Sequence, residues 1–269
     1  MLSRRQLLTG AAAGAAGVGV LGYGGLQLAP ERYKARLGLL PDPYIPDAHN
    51  GRVRLRRVRS DAMGGELDLF TAVPAGHGSG AGLPVVVVLH GSSASAAEFR
   101  GFGLGRFLTR AVQQGTPPFV LAGTDDGPSG WVPDSTADPR RMLTEELPGW
   151  LEDRGLDADR RAVWGWSRGG YGALSLAEAE PAWSRATAVF SPAVSEGDDV
   201  FDNLDAIGEH PLAVWCGTDD SFYPAVRALV DELPRRPEVA TFADGGHTRN
   251  FWNDHTLDAF SWLSGHLQR

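Results

Sequence analysis

The sequence predicts an α/β fold with a mostly parallel central sheet and helices on both faces. Three observations carry this expectation. Short apolar stretches alternate with stretches of helix formers along most of the chain, the pattern of repeated βαβ units. Pro84-Val85-Val86-Val87-Val88-Leu89-His90 is an almost unbroken β-branched run, as a central strand covered on both faces reads. Gly165-Trp166-Ser167-Arg168-Gly169 stands between the apolar Arg161-Ala162-Val163-Trp164 and a run of helix formers from Ala173 to Glu180. Strand, tight Gly-rich turn and helix together form the setting in which a serine is held up on a strained elbow.

The elements follow in order. Residues 53–58 and 66–73 read as two strands near the sheet edge, joined by the turn Asp61-Ala62-Met63-Gly64-Gly65. The β-branched run comes next, then a helix over 105–114 that Gly115 and Pro117-Pro118 end. Residues 119–122 are strand-like, and 140–152 are helical with an interruption at Pro148. The strand at Val163 and the helix after the elbow follow. Strands are then expected over 186–190, 212–216 and 239–242, with helices over 224–233 and 253–267.

The first 28 of the 269 residues stand apart from this pattern. Ser3-Arg4-Arg5-Gln6-Leu7-Leu8 resembles a twin-arginine export signal, and a Gly/Ala-rich apolar stretch from Leu7 to Leu28 follows it. That stretch reaches the roughly 18–20 residues that span a bilayer, but its many glycines weaken it as an anchor. Residues 1–28 are therefore a signal peptide or an N-terminal membrane anchor, with the twin-arginine translocase as transient partner. Residues 29–50 read as a linker or arm punctuated by Pro30, Pro41, Pro43 and Pro46. Residues 51–269 suit one α/β domain with a single core. The expected location is outside the cytoplasm, secreted or anchored at the outer face of the membrane.

The formal charge is −8, with no long basic run. Arg52, Arg54, Arg56, Arg57 and Arg59 alternate like the solvated face of an edge strand, so nucleic acid is not an expected partner. Cys216 is the only cysteine, which excludes an intramolecular disulfide and suggests a small buried apolar residue.

Ser167 needs a base within hydrogen-bond reach, and that base needs an acid to fix its tautomer. On a sheet of this kind the partners lie in loops at the carboxyl ends of strands, in the order Ser, acid, His. Asp219 and Asp220 both sit in the loop after the strand ending at Cys216. Spacing alone does not separate them, and either can serve as a cap for the helix that follows. Among the later histidines, His210 precedes the acid, and His255 and His266 fall in the last helix. His247, after Gly245-Gly246 and before that helix, is the one in a rim loop. The oxyanion of an acyl-transfer intermediate needs two backbone N–H donors. They are expected from Arg168, next to the nucleophile, and from Ser92 in the loop Leu89-His90-Gly91-Ser92-Ser93. His90 reads as a structural histidine beside the site, and Asp125-Asp126-Gly127 as a turn on the same rim. No metal-ligand spacing occurs.

These residues resemble those of the α/β-hydrolase family named "putative esterase", which includes esterase D, feruloyl and acetyl-xylan esterases, and mycolyltransferases. The resemblance runs from about Leu83 to the C-terminus. It rests on Leu89-His90-Gly91, on Gly165 to Leu174, on Cys216-Gly217-Thr218-Asp219-Asp220 and on Gly245-Gly246-His247. It implies an α/β-hydrolase fold, hydrolysis of carboxylic esters without a cofactor, and Asp220 as the acid of a Ser167–Asp220–His247 triad. Relatives often carry methionine where this chain has Arg168, but only the amide of that residue is needed.

The substrate is less defined. Trp131, Phe222 and Trp252 are candidates to line an acyl or aryl pocket. No large insertion supplies a lid, which favours a short acyl or aryl ester over a long-chain lipid, and export fits an ester of the cell envelope or of a polysaccharide. An acyltransferase to a sugar hydroxyl would use the same triad. A catalytically silent surface binding module is disfavoured by the intact triad, and a serine peptidase by the lack of room for a cap domain.

Overall fold

The computed structural model describes residues 40–269. The sequence features of residues 1–28 lie outside the described residues, as do residues 29–39 of the Pro-rich stretch. Eight strands form one sheet in the order β1-β2-β4-β3-β5-β6-β7-β8. They are β1 (Arg52–Ser60), β2 (Gly65–Val73), β3 (Pro84–Leu89), β4 (Val120–Thr124), β5 (Asp157–Trp166), β6 (Thr187–Phe190), β7 (Leu212–Gly217) and β8 (Val239–Ala243). Only β2 runs against its neighbours: β1–β2 and β2–β4 are antiparallel, and every pair from β4 to β8 is parallel. This is the α/β-hydrolase fold.

The strand pattern follows from burial. All six residues of β3 are buried, and its valines point alternately into two cores, Val85 and Val87 into one and Val86 and Val88 into the other. Period-two alternation on a strand apolar at every position gives this two-sided packing. Each such side chain contributes about 1.5–3 kcal/mol by leaving water. β1 is the opposite case. It is a sheet edge whose arginines at 52, 54, 56, 57 and 59 are all exposed, as their alternation predicts, and charge on an edge discourages pairing with another chain.

The helices are α1 (Leu104–Gln113), α2 (Pro139–Arg141), α3 (Leu147–Glu152), α4 (Arg168–Ala179), α5 (Leu204–Glu209), α6 (Tyr223–Glu232) and α7 (Arg249–Leu267). α1 and α7 cover one face through Phe107, Leu108, Phe260 and Leu263. α3 to α6 cover the other through Leu147, Leu174, Ile207 and Val226.

Several elements differ from the sequence reading: α5 was not expected, and β5, α4 and α7 each begin four or five residues earlier than expected. The helix expected over 140–152 is interrupted before Pro148, by a π turn at Met142–Glu146 that joins α2 to α3. Pro148 has no N–H to donate into the turn before it, so the break falls on its N-terminal side. The π turn presents Glu146, whose carboxylate accepts from the Asp61 and Ala62 amides at 2.9 Å and pins the β1–β2 turn. The 3₁₀ turn Ala96–Arg100 was not expected, although Ser95 and Glu98 form the capping box that begins it. The compact unit begins at Asp42 rather than at residue 51. Residues 42–50 dock on α1 and α7: the Tyr44 ring meets Phe107 edge-on at 6.0 Å, and Asn253 donates to the Tyr44 carbonyl at 2.7 Å.

Candidate active site

The loops at the carboxyl ends of β3, β5, β7 and β8 converge on one rim. Ser167 follows β5 and has φ 55° and ψ −125°, a backbone region an L-residue adopts only when its surroundings hold it there. Two ladders do so. The Ser167 amide donates to the Phe190 carbonyl at 2.9 Å, and its carbonyl accepts from Ala193 at 3.0 Å. The elbow also needs a bare backbone at Gly169, where a Cβ would lie 2.0 Å from the Leu89 carbonyl oxygen. Gly169 is thus a packing requirement between α4 and β3, while a Cβ at Gly165 would lie 2.3 Å from the Gly169 carbonyl oxygen.

The acid and base loops are fastened to each other. The β7–β8 ladder continues past both strands, with the Thr218 amide on the Ala243 carbonyl and the Asp219 amide on the Gly245 carbonyl, both at 2.9 Å. A Cβ at Gly217 would lie 2.2 Å from the Gly245 oxygen, so this approach too requires glycine. The ladder brings Asp220 Oδ2 to 2.9 Å from His247 Nδ1, while His247 Nε2 lies 2.9 Å from Ser167 Oγ.

The Asp220 side chain is fully buried, and its Oδ1 accepts from the Phe222 amide at 2.9 Å. An ionised carboxylate only accepts, so His247 Nδ1 carries the proton and Nε2 presents its lone pair to the Ser167 hydroxyl. The helix that follows has Phe222 as its N-cap and no side-chain cap, so the Asp220 bond to the Phe222 amide fixes the loop rather than capping the helix. The His247 ring is held between Phe222, at 5.2 Å, and Trp252, which meets it edge-on at 5.0 Å. The other later histidines are occupied elsewhere: His210 by Thr187 at 3.0 Å, His266 by Glu238 at 3.0 Å, and His255 against the Phe251 ring.

Arg168 is the first residue of α4, so its amide is one of the helix N–H groups with no acceptor inside the helix. Its side chain turns back to Asp126 at 2.5 Å, and the other Asp126 oxygen lies 3.9 Å from His90 Nε2. Burial pushes the Asp126 carboxyl above its ordinary value, against the opposing pull of His90 and Arg168. His90 is almost fully buried, and its carbonyl accepts from the Trp131 indole at 2.9 Å. The turn at Asp125-Asp126 therefore does more than reverse the chain. It links the end of β3 to the start of α4, the two segments expected to supply oxyanion donors. Asp126 was missed as a site residue because nothing local to its sequence announces a partner 42 positions away.

A cleft of about 490 Å³ lies over Ser167 and is lined by Ser92, Ser129, Trp131, Val132, Arg168, Tyr171, Ala193, Asp198, Phe222 and His247. Ser92 and Arg168 thus flank the nucleophile, and Trp131 and Phe222 contribute walls. Trp252 does not line this cleft, contrary to expectation. Its indole is drawn away to Ser191 Oγ at 3.0 Å, and its ring backs His247 from the far side. Tyr171 was not foreseen, although it lies one helical turn after Ser167 and so on the same face of α4. Cys216 is buried one residue before the acid loop, and burial pushes its thiol up to about 12, which removes it as a nucleophile.

Comparison with known proteins agrees with this architecture. Residues 60–263 match the family model described as "Putative esterase". No curated protein sequence matches the chain. Among solved structures, a ferulic acid esterase superposes with a TM-score of 0.68 at 18% identity, covering 80% of this chain and 98% of that one. An S-formylglutathione hydrolase from Agrobacterium tumefaciens gives 0.66 at 18% identity, with 83% and 98% covered. MPT51 (FbpC1) of Mycobacterium tuberculosis gives 0.61 at 16% identity, with 81% and 99% covered. At these identities the likeness carries the fold.

Proposed function

The chain belongs to the esterase family and is a carboxylic ester hydrolase, and on that premise we propose that it works through Ser167, His247 and Asp220 by an acyl-enzyme. Ser167 Oγ attacks the ester carbonyl while His247 Nε2 takes its proton. Asp220 holds the ring and stabilises the imidazolium that forms. The amides of Arg168 and Ser92 receive the oxyanion. Collapse of the tetrahedral intermediate breaks the bond to the alcohol, which leaves with the proton from His247. Water then enters, gives a proton to His247, attacks the acyl carbon, and releases the acid and Ser167 with its proton restored. No cofactor takes part in any step.

The single observation that carries this reading is the pair of 2.9 Å contacts from His247 to Asp220 and to Ser167. The preferred substrate is a short acyl or aryl ester, supported by an open cleft of about 490 Å³ with Trp131 and Phe222 in its walls. We also propose that the chain is exported by the twin-arginine route, on the strength of Ser3-Arg4-Arg5-Gln6-Leu7-Leu8 and the apolar residues after it. An envelope or polysaccharide ester would then be its natural target. A fluorophosphonate probe should label the purified protein and fail to label Ser167→Ala, and p-nitrophenyl esters should be cleaved fastest at short chain length. Equal labelling of Ser167→Ala would remove the nucleophile assignment. For export, a fusion to a reporter active only outside the cytoplasm should lose its signal when Arg4 and Arg5 are both changed to Lys.

A further inference from the structure

Behind the loop after β3 lies a second, smaller cavity of about 50 Å³, whose lining includes Phe102, Trp164, Trp166, Arg249 and Trp252. It shares no lining residue with the cleft over Ser167. Most of its wall is aromatic or aliphatic, yet two N–H donors in that wall have no hydrogen-bond partner among the described residues, Trp164 Nε1 and Arg249 Nη2. Trp164 is 3% exposed. An unpaired buried donor costs about 1–3 kcal/mol, so a fold that leaves two of them in the lining of one cavity invites an acceptor.

The position of Arg249 sharpens what that acceptor is. Arg249 is the first residue of α7, a 19-residue helix with no acidic residue in its first turn. A cation there opposes the positive end of the helix dipole. Its guanidinium lies over the Phe102 ring at 4.2 Å, and burial lowers its pKa. The carboxylate acting on it is that of Glu98, which is not in ion-pair contact with it and is itself held by the Ser95 amide at 2.9 Å. Cationic side chain, helix N-terminus and indole N–H all favour an anion, and the lining contains no carboxylate to compete. The aromatic wall favours an anion with an apolar end over phosphate. At roughly 10–15 Å³ for each water-sized body, the volume holds about three to five non-hydrogen atoms.

We infer that this cavity is a binding site for a carboxylate of acetate size, with the oxygens on Arg249 and Trp164 and the methyl group against Trp166 and Trp252. On the esterase reading, that is the class of acid a short-acyl ester releases. Trp252 joins the two sites, since it lines this cavity and its ring meets His247 edge-on at 5.0 Å.

The test is a titration of tryptophan fluorescence with sodium acetate, at ionic strength held constant with sodium chloride. A saturable change is expected in the wild type, in Ser167→Ala, and in protein already capped at Ser167 by a fluorophosphonate. Arg249→Met should weaken acetate about 10- to 100-fold, and Arg249→Lys should restore part of the affinity. A crystal soaked in acetate should show the ion on Arg249 and Trp164. Absence of saturation, wild-type affinity in Arg249→Met, or only water in the soaked cavity would overturn the inference. Loss of binding on capping Ser167 would also overturn it, by moving the acetate to the cleft. Failure of Ser167 to label would instead count against the esterase mechanism and leave the acetate result standing.

Discussion

The two cavities on either side of the loop after β3 treat their polar groups in opposite ways. In the cleft, the groups meant to react are already joined: Asp220 to His247, His247 to Ser167, and Arg168 to Asp126. In the rear cavity, Trp164 and Arg249 face apolar walls with donors unused. A site that assembles its own relay before substrate arrives has its residues oriented in advance, which is where much of enzymatic rate comes from. Unpaired buried donors instead leave part of a binding energy for a ligand to collect. The same fold thus carries one set of groups whose partners are internal and one whose partner is external.

Substitutions should separate the two regions sharply. Removing the nucleophile should cost most, with Ser167→Ala lowering kcat for a p-nitrophenyl ester by roughly 10⁵- to 10⁶-fold. Asp220→Asn should follow at about 10⁴-fold, because an amide can favour the wrong His247 tautomer. Asp219→Asn is its control and should stay within about twofold. Steady-state kinetics on the three variants checks the ranking, and a fully active Asp220→Asn would break it.

On the stability side, Gly169→Ala forces a methyl group onto the Leu89 carbonyl and should lower unfolding free energy in urea by about 1–3 kcal/mol. Arg249→Met should leave stability unchanged or raise it by about 1–2 kcal/mol, since the unpaired donor and the opposition to the helix dipole that it removes outweigh the lost contact with Phe102. A loss at Arg249 as large as that at Gly169 would mean the guanidinium has a structural partner.

The smallest effect concerns pH. Burial raises the folded-state value of Asp126 above that of the unfolded chain. The stability this group contributes is therefore fully present below the unfolded value and is lost as pH rises through the folded one. Urea midpoints across the acidic range should show Asp126→Asn losing less stability than wild type as pH rises. An unchanged or steeper dependence would contradict the assigned sign.

Most of this molecule could be read before its structure, for physical reasons that vary by region. β3 is legible because five consecutive large apolar residues suit only a strand buried on both faces. Ser167 and His247 are legible because an elbow and a loop histidine leave local marks of glycine and order. Spacing alone does not separate Asp220 from Asp219; the family resemblance points to Asp220, and the paired loops beyond β7 and β8 bring its carboxylate to the ring. Asp126, Trp164 and Arg249 were silent. Their meaning lies in contacts, or missing contacts, with residues far away in sequence. Trp252 shows the limit of rim placement as evidence, because its hydrogen bond to Ser191 turns it behind the histidine and out of the cleft.

The central claim is that Ser167 carries the acyl group. Acid-quenching the protein during turnover of p-nitrophenyl acetate and mapping its peptides by mass spectrometry tests this directly. One acetyl group on the peptide containing Ser167, lost in Ser167→Ala and accumulating in an Asp220→Asn variant slowed in deacylation, is the predicted result. Turnover with no acetyl on that peptide, or with acetyl on another residue whose loss stops the reaction, would contradict it.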